Sequence, residues 1–122
     1  DYQAFCGGVP QAPVTVPQVS AMELSRLMRE DPAVVLIDVR EQTEWDIAHI
    51  QGARLMPKTD QLAGQLKALY ASDTPLVVHC KSGARSRAVV LQLQALDFTQ
   101  VQNLQGGILA WIDDVEPDLP RY

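Results

Sequence analysis

Apolar and polar residues change their spacing repeatedly along this chain, and each change marks an element. From Ser20 the period is helical. Met22, Leu24, Leu27 and Met28 form one stripe, Ser20 and Glu23 make a capping box, and Asp31-Pro32 ends the segment. Residues 33–38 (AVVLID) are a nearly unbroken run rich in β-branched side chains, the pattern of a strand buried on both faces of a parallel sheet. Polar residues 41–48 then predict a short helix, ARLMP a short strand, and residues 60–70 a helix with Leu62, Leu66 and Leu69 on one side. PLVVHC reads as a second buried strand. Residues 85–96 carry apolar side chains nearly all round, which predicts a deeply packed helix, and VQNL and residues 107–114 supply a last strand and helix. This β-α alternation predicts an α/β fold with a mainly parallel sheet and helices on both faces, in which ligands bind at the carboxyl ends of the strands.

A length of 122 residues with 47% apolar and 20% charged side chains fits one domain with a real core. A net charge of -5 opposes a broad nucleic-acid or anionic-membrane surface, so no nucleic-acid or membrane partner is expected and any anion binding must be local. The apolar runs fall far short of the ~20 residues of a membrane helix. Two cysteines, Cys6 and Cys80, cannot make a disulfide scaffold or a four-ligand metal site, so a reducing, cytoplasmic setting without a metal is expected. Residues 1–17, with Pro10, Pro13, Pro17 and Gly7-Gly8, read as a linker, the folded unit beginning near Val16 and the domain proper spanning 18–122. The first residue is Asp1, which suggests a piece of a longer protein.

Chemistry is expected where PLVVHC stops. Cys80 sits at the strand end, and Lys81, Ser82, Gly83 and Ala84 allow a tight turn whose backbone N–H groups point inward. A helix N-terminus follows, and Lys81, Arg85 and Arg87 bring positive charge with no acid between Asp73 and Asp97. Such a cradle lowers a thiol's pKa and favours the thiolate, the nucleophilic form. A lone cysteine is ordinarily a small buried hydrophobe, but this loop favours a catalytic one. Cys6, among glycines and far from cations, reads as incidental.

These residues resemble the rhodanese-like sulfurtransferase domains over about Val19 to Trp111. Asp38-Val39-Arg40-Glu41 with Glu44-Trp45 resembles the family's first signature, and His49-Ile50 with Gly52-Ala53 and Pro57 its second. Cys80 to Ser86 resembles the active-site loop, and Asn103-Leu104, Gly106-Gly107 and Ala110-Trp111 the closing signature. Ala48 and Asp97 depart from common glycines, and Asp tolerates left-handed backbone. The resemblance implies a rhodanese-like sheet of about five strands. It also implies a persulfide on Cys80, with Lys81, Ser82, Gly83, Ala84 and Arg85 binding the substrate. The Lys81 and Arg85 charges would attract an anionic sulfane donor such as thiosulfate, a cysteine desulfurase being the other donor considered. Four residues separate Cys80 from Arg85, as in sulfurtransferases, whereas related phosphatases and arsenate reductases have five. The alternatives are such a phosphatase or reductase, or a non-catalytic binding module. Residues 1–7 and 116–122 resemble segments of two-domain adenylyltransferase/sulfurtransferases that serve molybdopterin synthase. That likeness implies a ubiquitin-like sulfur carrier as acceptor, with ATP used only in the preceding domain and no cofactor in this one.

The remaining polar and aromatic residues have plainer readings. Asp38 and Arg40 could line the site, but an ion pair with Glu44 that fixes the next helix is favoured. His49 reads as a hydrogen-bonded packing residue. Strand alternation turns His79 away from Cys80, so it is not the general base. Trp45 and Trp111 read as core or core-edge residues, and Asp113, Asp114, Glu116 and Asp118 as a solvated end, with partner docking the weaker alternative.

Overall fold

A computed structural model describes residues 16–121. Cys6 and all but the last two residues of the expected linker lie outside the described range. Five parallel strands form one sheet in the order β1-β5-β4-β2-β3. They are β1 (Gln18–Val19), β2 (Val35–Asp38), β3 (Arg54–Leu55), β4 (Leu76–His79) and β5 (Val101–Leu104). Five helices connect or flank them: α1 (Ala21–Glu30), α2 (Gln42–Ile47), α3 (Leu62–Leu69), α4 (Ala84–Ala95) and α5 (Gly107–Asp114). No helix among the described residues is long and apolar enough to cross a membrane.

The strands behave as their composition demands. Every residue of β4, the middle strand, is buried, which only a strand covered on both faces achieves. Successive side chains alternate between two cores. Leu36 and Val77 face a cluster with Leu24 of α1 and Ile108 and Ile112 of α5. Ile37 and Val78 face a cluster with Leu62 and Leu66 of α3 and Val89, Val90 and Leu93 of α4. Fully burying one such side chain is worth about 1.5–3 kcal/mol, so the two clusters hold the helices to the sheet. Cys80 belongs to the second cluster, and His79 is turned away from it, as the alternation predicts.

The first helix keeps its predicted cap, with the Glu23 N–H donating to Ser20 Oγ at 3.1 Å. Two expectations change. Residues 85–96 predicted a helix packed nearly all round, yet α4 buries one face only, through Ser86, Val89, Val90 and Leu93, while Ala88, Leu91 and Leu96 are half-buried. It lies on the outside of the sheet, where its second side meets solvent. β1 was not expected at all, because two residues carry no period. Its pairing with β5, Val19 opposite Leu104, is a tertiary event at the sheet edge. At the end of α4, Asp97 adopts φ +72°, the left-handed stop tolerated by this side chain.

Arg40 is the largest polar group inside the molecule, fully buried together with Asp38. Its Nε and Nη2 donate to the Asp38 carboxylate at 2.9 and 2.7 Å, and Nη2 also donates to the carbonyl of Ala48 at 2.7 Å. The expected Arg40–Glu44 ion pair is therefore corrected: Asp38 is the carboxylate that neutralises Arg40, and α2 is held through its backbone carbonyls. The Glu44 carboxylate is turned to Arg85 instead. His79 lies opposite Asp38 in the sheet register, its Nε2 3.6 Å from Asp38 Oδ2. Burial dominates over the attraction of Asp38 and pushes the His79 pKa down to about 4, so the ring is neutral.

Arg40→Leu strands the Asp38 carboxylate in the core and is expected to lower the unfolding free energy by about 3–5 kcal/mol in urea titration. A loss below about 1 kcal/mol would show that water reaches the site. His79 adds a pH dependence. The unfolded chain binds a proton near pH 6.5, the folded chain only near about 4, so stability present above 6.5 falls as the pH drops through that window. His79→Asn should flatten this part of the slope between pH 7 and 5.

Candidate active site

Cys80 follows the last residue of β4, at the carboxyl edge of the sheet, and is only 1% exposed. The chain then turns through Lys81, Ser82 and Gly83 into α4. Gly83 caps that helix with φ +117°, a conformation that side chains rarely adopt, and its N–H donates to Cys80 Sγ at 3.1 Å. Ser86, one turn into the helix, places Oγ 3.4 Å from the sulfur. Burial pushes the thiol pKa up, but the Ser86 hydroxyl and the N–H groups of Ser86, Gly83 and Arg85 outweigh it, and the net direction is down. The cradle is thus built from uncharged donors converging on one atom.

Two further contacts set its shape. The N–H groups of Ile108 and Leu109 in α5 donate to the carbonyls of Cys80 and Lys81 at 2.9 and 3.2 Å. This close approach requires Gly107, where a Cβ would lie 2.4 Å from the Lys81 oxygen and 2.6 Å from that of Cys80. Asn103, buried at the end of β5, sits with Oδ1 2.5 Å from Ser86 Oγ. The Ser86 hydroxyl, with a single proton, therefore has acceptors in Asn103, the sulfur and the Gly83 carbonyl, 3.2 Å away.

The structure brings the predicted loop residues together around the sulfur in different roles. Gly83 and Arg85 supply backbone donors. Ser82 and Ala84 are exposed on the rim, and Lys81 is half-buried with its carbonyl held by α5. The Arg85 guanidinium, expected to face an anionic donor, is engaged by Glu44 of α2: Nη1 and Nη2 donate to its two carboxylate oxygens at 2.7 and 3.0 Å. The sequence pattern does not mark Ser86 or Asn103 as substrate-binding residues. Ser86 stands in the quoted loop and Asn103 in the closing signature, but only the fold shows that they meet.

Elsewhere, His49 stacks on Trp45 with ring centroids 3.9 Å apart, and its Nδ1–H donates to the Trp45 carbonyl at 3.2 Å. It is an exposed surface residue whose ring donates one hydrogen bond, and Trp45 is half-buried. Trp111 lies in the core, its Nε1 donating to Glu116 at 2.7 Å, while Asp113 pairs with Arg121. The acidic end is thus tied down at two points rather than simply solvated. No group of three or more His, Cys, Asp or Glu side chains suited to a metal occurs among the described residues.

A family model described as "Rhodanese-like domain" matches residues 20–114. Among curated proteins, a "Probable adenylyltransferase/sulfurtransferase MoeZ" of Mycobacterium tuberculosis is 36% identical over 100% of this chain and 32% of its own length. "Adenylyltransferase and sulfurtransferase MOCS3" of Xenopus laevis is 29% identical over 100% of this chain and 33% of its own. The chain spans about a third of the length of these relatives. A solution structure of the rhodanese-like domain from the Anabaena protein Alr3790 superposes with a TM-score of 0.70 at 29% identity, covering 81% of this chain and 75% of that one.

Ser86→Ala removes a donor that favours the thiolate, so the pH profile of Cys80 alkylation is expected to move to higher pH, with the reaction near neutrality slowed about tenfold. An unmoved profile would assign the effect to the backbone N–H groups alone. Gly107→Ala must push the loop carbonyls aside, and denaturant melting should show a loss of about 2–4 kcal/mol together with slower alkylation.

Proposed function

The chain belongs to the rhodanese-like domain family, and on that premise we propose that it is a sulfurtransferase that carries sulfur as a persulfide on Cys80. The observation that carries this reading is the ring of neutral donors from Gly83, Arg85 and Ser86 closing on a single sulfur at a strand end. The Cys80 thiolate attacks the outer sulfur of a sulfane donor. The donor's S–S bond breaks and its remainder leaves with the electron pair, as sulfite from thiosulfate or as a thiolate from a persulfide. The same N–H groups then hold the anionic outer sulfur, and the burial of Cys80 keeps water from it. No side-chain base enters this scheme, because the donors that lower the Cys80 thiol pKa favour the nucleophilic thiolate, and His79 is neutral on the far face of the strand.

The acceptor reading is that the outer sulfur attacks the adenylated carboxyl terminus of a ubiquitin-like sulfur carrier, releasing AMP and forming an acyl disulfide. A second thiol then cleaves that disulfide and frees a thiocarboxylate for molybdopterin synthesis, or for tRNA thiolation or thiamine synthesis. Two features support it: the names of relatives that pair adenylyl and sulfur transfer, and the proline-containing composition of residues 7–17, which reads in the sequence as a linker. ATP binding belongs to the adenylating domain in this scheme, and the sulfane donor is thiosulfate or the persulfide of a cysteine desulfurase. The phosphatase alternative is disfavoured by the four-residue spacing between Cys80 and Arg85, which closes the donors on one sulfur and leaves less room for a tetrahedral phosphate.

Incubation with thiosulfate followed by intact mass measurement is expected to add one sulfur to the chain, with none added to Cys80→Ala. Absence of an adduct from any sulfane donor would overturn the reading. For the acceptor, the full-length protein, carrier, ATP and donor should give oxygen-to-sulfur exchange at the carrier terminus that Cys80→Ala abolishes when no free sulfide is supplied.

A further inference from the structure

The stretch around Cys80 looks rich in uncompensated positive charge when taken alone, since residues 74–96 contain no acid. The fold supplies the missing carboxylate from another segment. Glu44, the N3 residue of α2, reaches across to the first turn of α4 and grips Arg85 in a two-pronged pair at 2.7 and 3.0 Å. The pair is partly shielded, with the Glu44 side chain 17% exposed and that of Arg85 38%. Glu44 is itself held in place, because its Oε1 accepts from the Glu41 N–H at 3.1 Å in the capping box of α2. The groups that hold the Cys80 thiol down are hydroxyl and N–H donors, in keeping with a guanidinium turned elsewhere.

Resting on the sulfurtransferase reading, we propose that Glu44 sets donor specificity by charge: by engaging Arg85 it neutralises that cation toward incoming anions, so that a dianionic donor is disfavoured against a donor of lower charge. The discrimination follows from Coulomb's law, because the energy that a fixed charge imposes on a donor scales with the donor's charge. Whatever factor Glu44 imposes on a monoanion, it imposes roughly the square of that factor on a dianion at the same place. Gripping both oxygens in a fork with Arg85 fixes the carboxylate's position, which a mobile surface acid would not achieve.

The test is single-turnover loading of Cys80, followed by intact mass, with thiosulfate and with the persulfide of β-mercaptoethanol as the two probes. Glu44→Gln keeps a side-chain acceptor for the Glu41 N–H and for Arg85, so α2 retains its cap. Its loading rate constant is expected to rise about tenfold with thiosulfate and only about threefold with the persulfide. Glu44→Gln/Arg85→Gln should return the ratio of the two rates to that of the unaltered protein. Equal factors for both donors, or no change with either, would overturn the proposal while leaving the sulfurtransferase reading intact. Failure of the unaltered protein to load from either donor would instead defeat that reading. Should Glu44→Gln not fold, as judged by its melting curve, the salt dependence of the unaltered protein decides. With Arg85 engaged and a net charge of -5, thiosulfate loading should stay level or rise with ionic strength, and a steep fall would overturn the proposal.

Discussion

The N–H groups of Ile108 and Leu109 that donate to the carbonyls of Cys80 and Lys81 fix the loop that closes on the Cys80 sulfur. A chain leaving β4 has no reason of its own to turn its amides back toward the cysteine. Once the two carbonyls are drawn toward α5, the peptide planes that follow are rotated, and the Gly83 N–H turns inward to the sulfur. The contact depends on the absence of a side chain at Gly107 and on the packing of α5 through Ile108, Trp111 and Ile112 into the core shared with α1. Site geometry and core packing on that face are therefore one problem, and a weakened core would be felt at the donors around Cys80.

The electrostatics follow the same economy. A protein of net charge -5 cannot offer an anion a broadly positive surface, and it builds a local one from backbone dipoles and one hydroxyl. Such donors carry no counter-charge and need no ion pair to be desolvated when the sulfur ionises. Burial alone would raise the thiol pKa, so its lowered direction at Cys80 is the work of the donors. On the opposite face, Asp38, Arg40 and His79 form a second polar group beneath the same strand ends. There the Arg40 charge is matched by Asp38 and used to fix the carboxyl end of α2. A buried pair of this kind is weak as a source of net stability but costly to break, so its role is to hold α2 in one place. That placement is what lets Glu44 reach Arg85.

Much of this was legible in the residues themselves. The β-branched runs at 33–38 and 76–79 and the capping box at Ser20 and Glu23 report local physics, hydrophobic period and cap chemistry, and the strands and helix appear where that physics puts them. The alternation that separates Cys80 from His79 is a property of any strand, so the orientation of both was readable as well. The turn at Gly83 and the left-handed stop at Asp97 belong to the same class, since backbone permission is written in the residue type. What the tertiary structure alone decided are the pairings between segments distant in sequence. Glu44 stands four residues from Arg40 and invites that pairing, yet the burial of Arg40 gives it to Asp38 and frees Glu44 for Arg85, forty-one residues away. Ser86 and Asn103 meet because β5 lies beside β4, and β1 exists only because β5 offers it an edge. Local preferences act over a few residues and leave their mark in spacing, whereas the partner of a charge or a carbonyl depends on which elements the packing brings together, and no spacing records that.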